Sequence, residues 1–311
     1  MFLIIFVNFA NIAVTVVLND RLTGTVNVTS KNGDAYGIQV ANGIEAVLST
    51  NITATGKTSA DAVQLGSGNL TIDNAKITAK VTDKGKTANA YAIQVIDDSN
   101  YGQSNNITIT GNSVLTGLVS LGTGNDKVTI ESGSKVIGGF TGVEDLTLKI
   151  NDAKQKKNVL WQATEATSQT YVSVQVEYGL LGDFKIISKD KNIEWSELFS
   201  NNQYANMDSN LIKGNELYTY GLVKKGNDLY VTAMYKKALG DNAEIFETKS
   251  TAKTQTNKEY TAFTDKADIK VTDEMIALDA SKSKRLVLDN NITIKSAWSD
   301  VYGVKLDVDN A

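Results

Sequence analysis

Not one proline interrupts the 311 residues of this chain. Average usage would put roughly 15 prolines in such a length. Proline has no backbone N–H, so it is squeezed out wherever strands pair continuously. Histidine and cysteine are missing as well. Histidine is the usual general base near neutral pH and a frequent metal ligand, and cysteine supplies thiolate nucleophiles, soft metal ligands and disulfides. Most catalytic and metal-site constellations are therefore excluded at the outset. The composition points to a repetitive β protein whose surface, rather than a reaction centre, carries its function.

Short alternating stretches bear this out along the chain. Thr25-Val26-Asn27-Val28-Thr29 puts two valines on one face and polar groups on the other. The same period of two recurs at Ile52/Ala54, Leu70/Ile72, Ile77/Ala79/Val81, Ile107/Ile109, Val128/Ile130 and Leu146/Leu148, and late at Leu229/Val231/Ala233, Ile269/Val271 and Ile292/Ile294. Alternation with outward threonine marks a half-buried strand, and the Gly, Asn, Asp and Ser clusters between these stretches are turn chemistry. Strands return after 21 positions from Ile107 to Val128 (128 − 107), 18 from Val128 to Leu146 (146 − 128) and 18 from Ile52 to Leu70 (70 − 52). A return about every 20 residues is the order of one coil of a solenoid, each coil stacking on the last. The expected fold is all-β: a solenoid, with inward Ile, Val and Leu filling the bore, outward Thr, Asn and Lys forming the wall, and stacked asparagines at equivalent turns.

A hexad is repeated within the chain. Ala35-Tyr36-Gly37-Ile38-Gln39-Val40 is echoed by Ala90-Tyr91-Ala92-Ile93-Gln94-Val95 and by Val301-Tyr302-Gly303-Val304-Lys305-Leu306. The third copy lies 266 positions (302 − 36) beyond the first and carries similar upstream context. The organisation expected is an apolar N-terminal segment at 1–18, read as a strand, an atypical signal sequence or a membrane span. Solenoid coils follow at 19–150, then an aromatic-rich β region continuing them at 151–237 with a short helical insertion near 193–200. A polar linker or loop is expected at 238–267, and the start of a second, truncated repeat module at 268–311.

Candidate sites are few. Asn27, Asn51, Asn69, Asn106 and Asn291 each open an Asn-x-Thr triplet, the N-glycosylation pattern, but the middle Val, Ile or Leu reads as inward and the Asn as closing a turn. Gly122-Thr123-Gly124-Asn125-Asp126-Lys127-Val128 resembles one calcium-binding nonapeptide of repeats-in-toxin proteins, which makes Asp126 the calcium candidate; a single copy cannot supply six to eight oxygen ligands. Asp97-Asp98 and Asp307/Asp309 are carboxylate pairs, and adjacent strand residues point to opposite faces, so Asp97 and Asp98 do not converge on a substrate. Tyr218, Tyr220, Tyr230 and Tyr235 are candidates to anchor a partner, since tyrosine offers both an apolar ring and a polar tip; they serve equally as strand formers. No cofactor is called for. A net charge of −4 and only two arginines, Arg21 and Arg285, give no footprint for nucleic acid.

Gly122-Thr123-Gly124-Asn125-Asp126-Lys127-Val128-Thr129-Ile130, followed by Gly138-Gly139-Phe140-Thr141-Gly142-Val143-Glu144-Asp145-Leu146-Thr147-Leu148, resembles a recurrent unit of bacterial autotransporter passengers and related large surface adhesins. Tyr220-Gly221-Leu222-Val223-Lys224-Lys225-Gly226-Asn227-Asp228-Leu229-Tyr230-Val231-Thr232 is similar to a stretch late in many passengers. The resemblance implies a right-handed parallel β-helix (β-solenoid) exported from a Gram-negative cell and displayed at the cell surface by an outer-membrane barrel that this chain does not contain. The expected function is non-enzymatic: a secreted or surface-displayed stalk or adhesin whose polar wall meets a host or bacterial surface protein or glycan. The alternatives are a β-helix polysaccharide lyase or hydrolase and a calcium-dependent secreted repeat protein. Protease passengers need a serine, histidine and aspartate constellation, which a chain without histidine cannot assemble.

Overall fold

The computed structural model describes residues 14–16, 21–96, 103–152, 154–155, 158–167, 170–177, 180, 182–205 and 218–235, and beyond these only the strands between 244 and 305. The chain forms two compact units: residues 1–177, 183–213 and 222–231 make the first, and residues 178–182, 214–221 and 232–311 the second.

In the first unit the chain visits three stacks of strands in a fixed order, lap after lap, and these laps pair in parallel. Stack A holds β1 (Val14–Val16), β3 (Ala35–Val40), β5 (Ala60–Leu65), β8 (Ala90–Val95), β11 (Leu118–Ser120) and β14 (Phe140–Thr141). The long strands β2 (Arg21–Thr29) and β4 (Ile44–Gly56) each serve two further stacks. The first half of β4 pairs with β6 (Gly68–Asp73), and stack B continues through β9 (Asn106–Thr110), β12 (Lys127–Glu131), β15 (Asp145–Ile150) and β17 (Tyr171–Val176). The second half pairs with β7 (Lys76–Val81), and stack C continues through β10 (Val114–Thr116), β13 (Lys135–Gly138), β16 (Trp161–Ala163) and β18 (Gly182–Lys189).

The sequence pattern explains the register. Leu48, Ile72, Ile109, Ile130, Leu148 and Val174 lie at matched inward positions of stack B and all are fully buried. Thr71, Thr108, Thr129 and Thr147 lie between them on the outer side. Burying each large aliphatic side chain is worth about 1.5–3 kcal/mol. A one-residue slip would turn the whole set outward, so the register is strongly specified. The laps from Ile107 to Val128 and from Val128 to Leu146 are as the spacing predicts. The step from Ile52 to Leu70 is not a lap: Ile52 pairs with Ile77 and Leu70 with Ala46, because β4 bends through two stacks.

The corners between stacks are joined by polar ladders running along the laps. At one corner, the N–H of Gly43 donates to Ser67 Oγ (3.3 Å), that of Gly68 to Asn105 Oδ1 (3.0 Å), that of Asn105 to Asp126 Oδ1 (2.7 Å) and that of Asp126 to Glu144 Oε2 (2.7 Å). At the next corner, Ala75 N–H donates to Ser113 Oγ (3.0 Å), Ser113 N–H to Ser134 Oγ (3.2 Å) and Gly133 N–H to Gln155 Oε1 (3.0 Å). Turn N–H groups that leave the sheet ladders thus find partners on the adjoining lap, as buried donors must.

The last laps change character. Phe140 and Trp161 are fully buried and meet edge to face with centroids 5.1 Å apart, and Trp161 Nε1 donates to Gly138 O (3.0 Å). The helical insertion expected near 193–200 is a three-residue 3-10 turn, Trp195–Glu197, followed by helix α1 (Asn201–Ala205). From α1, the buried Gln203 takes the place of a further strand: its Oε1 accepts from Val172 N–H (2.7 Å) and its Nε2 donates to Val172 O. Stack C is closed by β20 (Asp228–Tyr235) and β19 (Tyr218–Lys225), in the order β18, β20, β19. The link of Gly226 and Asn227 between them allows only an antiparallel hairpin, and Gly226 supplies the positive φ (61°) that this turn needs. The region 151–237 therefore continues the laps to β18 and then terminates them.

In the second unit, residues 238–267, expected as a polar linker or loop, instead carry β21 (Glu244–Glu247), β22 (Lys253–Thr256) and β23 (Tyr260–Phe263), paired antiparallel. Ile245, Phe246, Thr254, Thr256, Tyr260, Thr261 and Phe263 are strand formers and support strands there despite the polar composition. Next come β24 (Ile269–Thr272), β25 (Ile276–Asp279), β26 (Arg285–Val287), β27 (Ile292–Lys295) and β28 (Tyr302–Lys305). Strands β23, β24 and β25 pair in parallel with β26, β27 and β28, in that order. Of the apolar segment 1–18 only β1 is described, parallel to Ile38–Val40. Asp97, Asp98, Asn291, Asp307 and Asp309 lie outside the described residues.

Candidate functional site

The four tyrosines singled out from the sequence fall on the terminating hairpin: Tyr218 and Tyr220 on β19, Tyr230 and Tyr235 on β20. The side chains of Tyr218 and Tyr235 lie outside the described residues, and Tyr220 and Tyr230 are half-buried. Tyr230 sits in a network of charges. Lys225 Nζ lies 4.8 Å and Lys185 Nζ 5.6 Å from its ring centroid, its hydroxyl donates to Asp228 Oδ2 (3.5 Å), and Lys185 pairs with Asp228 (2.6 Å). The hydrogen bond to Asp228 raises the Lys185 pKa above the ordinary lysine value. Nearby, Lys224 Nζ lies 5.9 Å from the Trp195 ring and 5.6 Å from that of Tyr204, which is 41 % exposed. Trp195 also receives Lys189 at 5.6 Å. Ammonium groups over aromatic faces contribute about 0.5–1 kcal/mol each at exposed sites and hold the rings in place. Tyr204 and Lys224 were not singled out from the sequence; only the termination of the laps brings them together.

Asp126 occupies a corner of the fold rather than an open loop. It is fully buried, its Oδ1 accepts from both nitrogens of Asn105 (2.7 and 2.8 Å), and its own N–H donates to Glu144. Burial raises its carboxyl pKa above the ordinary range, and the charge of Glu144 adds to that rise, against the hydrogen bonds from Asn105. Among the described residues no group of three or more acidic side chains is placed to hold a metal ion. The Asn-x-Thr triplets at Asn27, Asn51, Asn69 and Asn106 lie on strands, with the middle residue inward and the asparagine exposed.

The outer side of stack A carries a second constellation. The hexad seen at Ala35 and Ala90 has an intervening copy, Ala60-Asp61-Ala62-Val63-Gln64-Leu65, which pairs with both. In each copy two consecutive residues are buried (Gly37-Ile38, Ala62-Val63, Ala92-Ile93), so the alternation slips by one. A Cβ on Gly37 would lie 2.4 Å from Ala62 O, so the slip leaves room there for glycine alone. It leaves two outward columns, Tyr36–Asp61–Tyr91 and Gln39–Gln64–Gln94. Asp61, only 3 % exposed, accepts from Gln64 Nε2 (2.8 Å), and from Gln94 (3.0 and 3.1 Å) with that amide nitrogen turned toward it. Tyr36 donates to Asp34 Oδ2 (3.4 Å), and Asp34 Oδ1 accepts from Thr58 Oγ1 (2.5 Å). Burial pushes the Asp61 carboxyl up to about 6, opposed by Gln64 and reinforced by Asp34; burial likewise raises Tyr36. The sequence signal was available but masked, because the central copy replaces the tyrosine with aspartate.

Comparison with known proteins gives no matching family model, no similar curated protein and no similar solved structure.

Proposed function

We propose that this protein is a non-enzymatic, surface-displayed or secreted adhesive solenoid, in which the first unit is a right-handed parallel β-helix presenting a polar wall to a partner on a host or bacterial surface. The observation that carries the reading is the ordered parallel pairing of three stacks over successive laps, with aliphatic side chains inward and Thr, Asn, Gln and Tyr columns outward. Such a wall is repetitive. It suits many weak, parallel contacts with a surface, rather than enclosure of a small substrate, which takes a concave pocket. Right-handed winding follows from the strong preference of crossovers between parallel strands in one sheet. The resemblance to autotransporter passengers fits the same picture and implies export from a Gram-negative cell, with display through an outer-membrane barrel.

The test is saturable binding of the fluorescently labelled chain to epithelial cells and to intact Gram-negative cells. Saturation on either surface, competed by unlabelled chain, is expected. Absence of saturable binding to both would overturn the adhesive reading, and left-handed laps in an experimental structure would overturn the stated winding.

A further inference from the structure

We propose that the Tyr36–Asp61–Tyr91 column on the outer side of stack A is a docking site for a lysine side chain of a protein partner. The inference rests on the wall being a partner-binding surface and names the chemistry of one place on it. Asp61 breaks the rule of its own repeat: the strands on either side carry tyrosine at the same register position. The substitution puts a carboxylate, 3 % exposed, where the neighbouring laps place a ring. A locally inconsistent residue that lowers stability is a mark of a functional position.

The charge there is not compensated within the fold. Among the described residues, Asp61 and Asp34 take part in none of the ion pairs, and the donors that reach Asp61 are the neutral side chains of Ser59, Gln64 and Gln94. Two carboxylates and two phenol rings on one stretch of wall complement a cation, since ring faces and carboxylates both attract an ammonium. Asp61 is 3 % exposed, so a cation reaches its carboxylate only by parting the side chains that cover it, which favours a slender carrier. A lysine carries its compact charge at the end of a slender four-carbon stem. The broad planar fork of arginine, or an ammonium fixed directly on a sugar ring, cannot approach a recessed carboxylate in the same way.

The experiment is an NMR titration of the isotope-labelled intact chain with a short Gly/Ser peptide bearing one central lysine. The arms are the same peptide with that lysine acetylated, and glucosamine. Saturable shifts confined to stack A are expected with the lysine peptide, with Kd raised at least about tenfold by acetylation, by Asp61→Asn and by the Tyr36→Ala/Tyr91→Ala pair. Asp61→Asn keeps the shape of the site and removes only its charge, so loss of binding there is not loss of fold. Lack of binding, binding indifferent to Asp61→Asn, or tighter binding of glucosamine than of the lysine peptide would each overturn the assignment. Cell-surface binding that persists in a chain which ignores the lysine peptide would leave the adhesive reading standing and remove only this site; peptide binding without surface binding would do the reverse.

Discussion

At the scale of single residues, two polar side chains carry unusual loads. Asp61 is buried with its pKa pushed up to about 6, so its charged form is disfavoured in the fold. The sign follows directly. Its contribution is neutral below the unfolded value near 4, becomes unfavourable as pH rises toward 6, and is constant above that. The ceiling on this penalty is about 2–3 kcal/mol. Asp61→Asn should therefore raise the midpoint of urea unfolding at pH 7.5 and leave it unchanged at pH 4; an equal effect at both values would show that the carboxylate charge is not the cause. Gln203 carries the opposite load, because its amide satisfies both backbone groups of Val172 at the end of stack B. Gln203→Ala leaves a buried donor and acceptor unmatched, at about 1–3 kcal/mol each. Hydrogen exchange should find the Val172 amide much faster in that variant, with amides of β6 and β9 unaffected.

At the scale of elements, inward and outward positions of one strand should respond differently to the same change. Ile109 is fully buried between Ile72 and Ile130, whereas Thr108 of the same strand stands on the wall. Ile109→Asp places an unpaired charge in the bore and should unfold neighbouring laps together; Thr108→Asp should move the melting temperature by little. Comparable losses would contradict the assigned faces. This part of the fold was legible in the sequence, because a period of two with β-branched residues has one physical reading. The three stacks were not legible. β2 and β4 run through two stacks without a break in their alternation, so a lap looked shorter than it is. The strands at 244–263 were hidden by polar composition, and the Asp61 site by a repeat copy whose most conspicuous residue had been exchanged. The cluster of Trp195, Tyr204 and Lys224 could not be foreseen, since it depends on where the chain turns back after β18.

At the scale of the molecule, each unit follows its own ordered winding. The first ends in a side-chain clamp and an antiparallel hairpin, devices that cover edges otherwise open to further strands. In the second, three strands pair in parallel with the next three in the same order, so a lap is again the unit of construction. The central claim is that successive laps of the first unit stack in sequence. One outward column tests it: Glu45, Asn69, Asn106, Lys127, Asp145 and Tyr171 occupy matched positions on consecutive strands of stack B. The chain has no cysteine, so spin labels can be placed at chosen pairs without background. Pulsed electron–electron distances from a label at position 45 to labels at 127, 145 and 171 should increase steadily, by about 4.8 Å per lap. Distances that fail to grow with lap number, or that reverse between 127 and 171, would contradict the winding itself.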